Sequence, residues 1–168
     1  MLRELHLELG IPDDYGHDGL KPEYDEAVNL IDVGPNFLGR MQRLSLVTAA
    51  SWQQMLAAAS GDGIRLMIVS GFRGIEYQAS LIRKKINAGQ ELSDILDINA
   101  APGFSEHHTG RAIDIATPGS RPLTEEFEQT AAFAWLEKNA SKFEFSMTYP
   151  RDNPQGFIYE PWHWAKAD

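Results

Sequence analysis

Cysteine is absent from the 168 residues. That excludes disulfides, thiolate metal ligands and a cysteine nucleophile together, and it leaves the redox compartment open. Long apolar runs are also lacking, and nothing approaches the ~20 residues needed to span a bilayer. The first ten residues, Met1 to Gly10, are broken up by charges and have no apolar h-region, so they do not read as an export signal. The expected compartment is the cytoplasm for the chain as written, or the periplasm if a signal has been removed. Positive charge is scarce: 15 bases face 24 acids, for a formal charge of −9. Arg83-Lys84-Lys85 is the one basic cluster that stands out. Nucleic acid is therefore not an expected partner, because phosphate binding needs a concentrated basic footprint. No internal repeat, low-complexity tract or inter-domain linker is visible.

What remains is a globular composition, 43% hydrophobic and 23% charged, of a size that one domain can fold around its own core. Residues 1–43 are rich in turn formers and read as an irregular wrapping segment, with a short helix near Glu23–Leu30. Residues 44–168 read as the core. Trp52, Met55, Leu56 and Ala59 follow helical spacing behind a Thr48 cap. Ile64–Ser70 is a β-branched run bounded by glycine, hence a strand. Ile75–Asn87 and Leu92–Ile98 read as helices, and Arg111–Ala116 as a strand. Thr124 with two acids behind it starts a helix carrying Phe127, Ala131, Ala134 and Trp135. Phe143–Tyr149 alternates as a strand does, and Phe157–Trp164 gives a last strand antiparallel to it. The pattern predicts an α+β domain.

Three patches carry chemistry: Ser70-Gly71-Phe72-Arg73, then Ser105-Glu106-His107-His108 through Asp114, then Glu160-Pro161-Trp162-His163. Zinc in hydrolases takes three ligands from His nitrogen and carboxylate oxygen, with a fourth position for water. His107, Asp114 and His163 would supply such a set, which other divalent ions would also accept. His107 and Asp114 are seven apart, so on one continuous strand they would face opposite ways. His107 must then precede the strand, with Gly110 making the bend. Glu160 and His163 are three apart, and Pro161 blocks a helix between them, so a bulge or strand end must aim both inward. Glu160 would be the general base on the attacking water, passing the proton to a leaving amine. Arg73, directly after a buried strand, would hold a substrate carboxylate or an oxyanion. Each residue also has a plain structural reading. His107-His108 can be a polar loop, His163 a packed core histidine and Arg73 a surface ion-pair residue. Asp114 in an apolar strand resists one, because a buried carboxylate needs a partner.

At these residues the chain resembles the VanY-type zinc D-alanyl-D-alanine carboxypeptidases, in the wider family that includes D-Ala-D-Ala dipeptidases, L,D-carboxypeptidases and some phage endolysins. The pattern Ser-x-His-x-x-Gly-x-Ala-x-Asp is met at Ser105, His107, Gly110, Ala112 and Asp114, and Glu-x-x-His at Glu160 and His163. Ser70-Gly71-Phe72-Arg73 with Glu76 and Gln78 looks like the family's arginine motif. The likeness covers residues 64–164. It implies an α+β fold with a central antiparallel sheet flanked by helices, shared with hedgehog-like signalling domains. It implies zinc on His107, Asp114 and His163, Glu160 as base, and Arg73 as anchor or transition-state cation. Ser105 and Gln78 would be pocket residues. His108 stands where relatives often carry Gln, and is placed to touch substrate or compete for metal. The implied substrate is a peptidoglycan stem peptide or muropeptide, losing a terminal D-alanine with D,D or L,D specificity. The alternatives are an endopeptidase or D-Ala-D-Ala dipeptidase on the same site, or a non-catalytic zinc-stabilised binding module.

Overall fold

The computed structural model describes residues 2–167. A four-stranded antiparallel sheet, in the order β3-β4-β6-β5, forms its centre. The strands are β3 (Met67–Ser70), β4 (Ala112–Ala116), β5 (Phe145–Met147) and β6 (His163–Lys166). A separate hairpin pairs β1 (Leu30–Pro35) with β2 (Met41–Ser45). Five helices surround them: α1 (Leu2–Leu9), α2 (Leu46–Gly61), α3 (Ile75–Asn87), α4 (Leu92–Ile98) and α5 (Ala131–Asn139). None of these helices is long and apolar enough to cross a membrane.

Alternation along the central strands sorts the side chains into two faces. Ile113 and Ile115 of β4, Ile68, Phe145 and Trp164 join Trp52 and Met55 of α2 and Leu136 of α5 in the main core. A second core lies where α1, α3 and α4 meet, through Leu5, Leu9, Ala79, Ile82 and Ile95. The polar residues between the apolar ones on the strands face the other way, and they build the site.

The α+β class and the central antiparallel sheet agree with the expectation, and α3 and α4 span the residues that periodicity assigns them. The N-terminal segment is more ordered than its turn formers suggest. Leu5 and Leu9, one helical turn apart, bury α1 in the second core. Glu23–Leu30 forms no helix. It runs extended instead, and Tyr24 and Ala27 donate their N–H groups to the carbonyls of Gly103 (2.7 Å) and His108 (2.8 Å). Thr48 lies inside α2, which begins two residues earlier. Ser45 caps it, accepting from the Thr48 N–H. The helix expected from Thr124 is split into a 3-10 turn, Glu125–Gln129, and α5, which Thr130 caps through the Phe133 N–H at 3.1 Å. The last strand is shorter than the run Phe157–Trp164 because Pro161 interrupts it and the backbone turns there, with the His163 N–H donating to the Glu160 carbonyl.

Candidate active site

Register places the site before any side chain is considered. Ser70 lies opposite Asp114, and Asp114 opposite His163, so one row of residues crosses three strands on the face away from the main core. His107 reaches this row from a 3-10 turn, Glu106–Thr109, that precedes β4. The turn ends at Gly110, whose φ of 66° a side chain would strain. A Cβ there would also lie 2.9 Å from the Ser45 backbone nitrogen. His163 opens β6, and Glu160 sits in the turn before it. The bend at Gly110 and the strand end at His163 are what the odd spacings require.

The ring nitrogens have divided tasks. Nδ1 of His107 donates to the Gly71 carbonyl at 2.7 Å, which leaves Nε2 as the bare nitrogen. Nε2 lies 3.3 Å from Oδ2 of Asp114, and it is buried with no hydrogen-bond partner. His163 is turned the other way. Its Nε2 meets Oε2 of Glu106 at 2.8 Å, and its Nδ1 meets Oδ1 of Asp114 at 3.1 Å. One ligand atom from each of His107, Asp114 and His163 lies within 4.8 Å of the other two, and all three residues are buried. The donor set, two imidazole nitrogens and a carboxylate oxygen, is the kind zinc takes in hydrolases. An orphaned buried Nε2 aimed at a carboxylate is the mark such an ion would explain.

Burial and mutual charge set the protonation states. Burial, with the Arg73 guanidinium next in weight, pushes His107 down to about 4. Burial also opposes charge on His163, yet Asp114 and Glu106 on either side push it up to about 10. For Asp114 burial favours the neutral acid, but His107 and His163 hold it well below the usual carboxylate range. Glu160 goes the other way. Burial pushes it up to about 7, with Asp114 and Glu106 adding and His163 and Arg73 opposing. Its Oε2 is 3.8 Å from Nδ1 of His163, so a group able to take and return a proton near neutrality stands beside the ligand cluster.

Arg73 follows β3, and its N–H donates to the His107 carbonyl at 3.1 Å. Its Nη1 lies 3.6 Å from Oδ2 of Asp114 and 3.5 Å from Oγ of Ser70. Its side chain is 19% exposed, so the cation keeps one edge on the cleft. Ser105 lines the cleft with His107, Tyr149 and Glu160. Gln78 stands behind the wall, its amide nitrogen donating to the Ala100 carbonyl at 2.8 Å. His108 departs from the expectation that it touches metal or substrate. It is fully buried, with Nδ1 2.6 Å from the Arg73 carbonyl and Nε2 accepting from the Gly103 N–H at 3.0 Å. Both nitrogens are engaged by backbone, so His108 is a strut beneath Arg73. The sequence motifs give no site role to Glu106 or Tyr149. Tyr149 stacks on His163 at 4.6 Å between ring centroids. An acid directly before a ligand-type histidine was the available signal for Glu106.

The family model described as VanY, D-alanyl-D-alanine carboxypeptidase, matches residues 41–165. A D-alanyl-D-alanine carboxypeptidase of Enterococcus faecalis (strain ATCC 700802 / V583) is 29% identical over 143 residues, 79% of this chain and 52% of that protein. The chain spans about half the length of the curated relatives it matches. Among solved structures, the LdcB LD-carboxypeptidase is 30% identical with a TM-score of 0.76, over 86% of this chain and 71% of that one. A variant of the vancomycin-resistance D,D-pentapeptidase VanY from a VanB-type cassette, in complex with zinc, is 26% identical. Its TM-score is 0.64, over 84% of this chain and 80% of that one.

Proposed function

The chain belongs to the VanY D-alanyl-D-alanine carboxypeptidase family, and on that basis we propose that it is a zinc-dependent carboxypeptidase releasing a C-terminal D-alanine from peptidoglycan stem peptides. The observation that carries the reading is the orphaned Nε2 of His107, converging with Asp114 and His163 beside a buried carboxyl whose pKa lies near neutrality. Residues 44–168 would be the catalytic core.

His107, Asp114 and His163 would hold the zinc, which would supply Lewis-acid polarisation of the scissile carbonyl and acidify the attacking water. Glu160 takes the water's proton as it attacks and delivers it to the leaving amine nitrogen. Its raised pKa suits both halves of that transfer, because a group near 7 neither holds nor refuses the proton strongly. Arg73 is tied to Asp114 and so stands at the reacting centre, where its guanidinium balances the negative charge developing on the carbonyl oxygen. Ser105 faces the same cleft and would contact substrate. Gln78 would act on the pocket by holding the Ala100 backbone in place. A buried acid beside the cluster argues against a purely structural zinc module, which needs a fourth ligand and no base.

The test is mass analysis of products from stem penta- and tetrapeptides incubated with zinc-loaded protein, alongside Glu160→Gln. Loss of a single alanine from the pentapeptide marks a D,D-enzyme, and from the tetrapeptide an L,D-enzyme. The variant should keep its zinc and lose roughly 10²–10⁴-fold in rate. Release of a dipeptide, internal scission, or full activity in the variant would overturn the reading.

A further inference from the structure

Residues 24–27 form a strap against the site, ahead of the segment 41–165 that the family model matches. On either side of Glu26, the N–H groups of Tyr24 and Ala27 reach the carbonyls of Gly103 and His108. Glu26 is thereby set against the start of α3, where its Oε1 accepts from the Ile75 N–H, 49 positions away. Ile75 is the first residue of that helix, a position whose N–H has no partner within the helix. Gly74 before it offers no side-chain cap. It leaves room instead, since a Cβ there would lie 2.9 Å from Oε1 of Glu26. A carboxylate at this end also meets the positive pole of the helix dipole. The strap thus caps α3 from a distant part of the chain.

Two residues before Ile75 stands Arg73, whose head is loosely held. Its Nη1 lies 3.6 Å from Oδ2 of Asp114 and 3.5 Å from Oγ of Ser70, and its Nε is buried with no hydrogen-bond partner. Contacts of that length do not fix the direction of a guanidinium, so its placing falls to the main chain. There the Arg73 N–H bonds the His107 carbonyl, the Arg73 carbonyl meets Nδ1 of His108, and the Ile75 N–H goes to Glu26. The first two anchors come from the histidine turn, and the third comes from the strap.

We propose that Glu26 is a positioning residue for Arg73, a cap on α3 that keeps the guanidinium aimed at the carbonyl oxygen of the scissile bond. This rests on the peptidase reading above and adds the strap to the machinery of that same site. Without the carboxylate, the first turn of α3 regains an unpaired N–H and frays, and the backbone of residues 73–75 loosens with it. The hydrogen bond of Glu26 goes to Ile75 and not to His107, Asp114 or His163, so its loss separates rate from metal content.

The test measures kcat, KM, zinc content and Tm of zinc-loaded variants on the stem peptide that the unsubstituted protein cleaves. Glu26→Ala should lower kcat by roughly 10- to 100-fold, the scale on which a small misplacement of a catalytic group slows a reaction. KM should hold, because the guanidinium acts in the transition state, and zinc content should stay full. Glu26→Gln keeps an acceptor oxygen and should recover most of the rate. Gly74→Ser added to Glu26→Ala gives α3 a cap of its own and should recover it too; this double substitution carries the test if Glu26→Ala does not fold. Thr130→Ala, which uncaps α5 behind the main core, should cost a like amount in Tm and leave kcat alone. Equal behaviour of Glu26→Ala and Thr130→Ala, a raised KM in place of a lowered kcat, or a stable double variant that stays slow would overturn the role while leaving the peptidase intact. Cleavage of no stem peptide by the unsubstituted protein would remove the peptidase reading and this role with it.

Discussion

Glu106 lies outside the candidate ligand set of His107, Asp114 and His163, yet it fixes how one of those rings is turned. Its bond to Nε2 of His163 leaves Nδ1 as the nitrogen that faces Asp114, as the Gly71 carbonyl does for the opposite nitrogen of His107. Outer partners of this kind hold tautomer and ring angle together. Glu106→Ala is therefore expected to weaken zinc binding about 10- to 100-fold in competition with a chelator, and unchanged affinity would show the contact to be idle. The same pair gives the metal-free protein a pH signature. His163 lies above its unfolded value of about 6.5, so its pairing stabilises the fold fully below that pH and is lost as pH climbs toward about 10. His107 lies below that value, so its buried neutral ring costs stability as pH falls from about 6.5 toward about 4. Glu160, raised to about 7, loses stability with rising pH and so offsets the His107 gain between about 4.5 and 6.5. Thermal melts in chelator should therefore stay level over that span and fall as pH rises above about 6.5; a steady rise to pH 9 would refute the assignment. The convergence of His107, Asp114, His163, Glu160 and Arg73 is legible in sequence because buried charge needs a partner and the spacings admit few geometries. The place of His108 is not, since adjacency to His107 says nothing about which way a ring turns.

Elements were legible in proportion to how locally they are determined. The helices α3 and α4 carry their own periodicity, and Ile113 and Ile115 on either side of Asp114 announce β4. The helix α1 and the β1–β2 hairpin are made by distant contacts. Leu5 and Leu9 count as core only once α3 lies against them, and β1 holds Gly34 and Pro35, weak strand formers. The turn from Glu106 to Gly110 is a further element set from outside, with the Ser45 N–H donating to the Gly110 carbonyl at 2.9 Å. Gly110→Ala combines a left-handed backbone with a clash against Ser45 and Leu30. We expect a loss of about 1–3 kcal/mol in denaturant unfolding, with reduced zinc content because His107 moves with the turn. A variant with full stability and full zinc would show that the bend tolerates a side chain.

At the scale of the molecule, the site is a meeting place of chain segments far apart in sequence. Residues 24 and 27 hold the loop that carries His107 and His108, Arg73 braces it from the β3 side, and His163 arrives 49 positions after Asp114. Any ligand of the folded site stabilises the fold by mass action. With zinc at about 100 times its dissociation constant, that is about 2.7 kcal/mol, or roughly 5–10 °C in Tm for a domain of this size. Melting with and without chelator measures it, and an unchanged Tm would contradict a site shared by these segments. The wide separation of Asp114 and His163 has a further result. A chain without cysteine cannot stitch distant parts of itself together covalently, and an ion gripping both ends of that 49-residue span would serve as its clasp. Unlike a disulfide, such a clasp opens to acid or to a competing chelator and not to a reductant. Zinc supply would then govern how long the protein survives as well as whether it works.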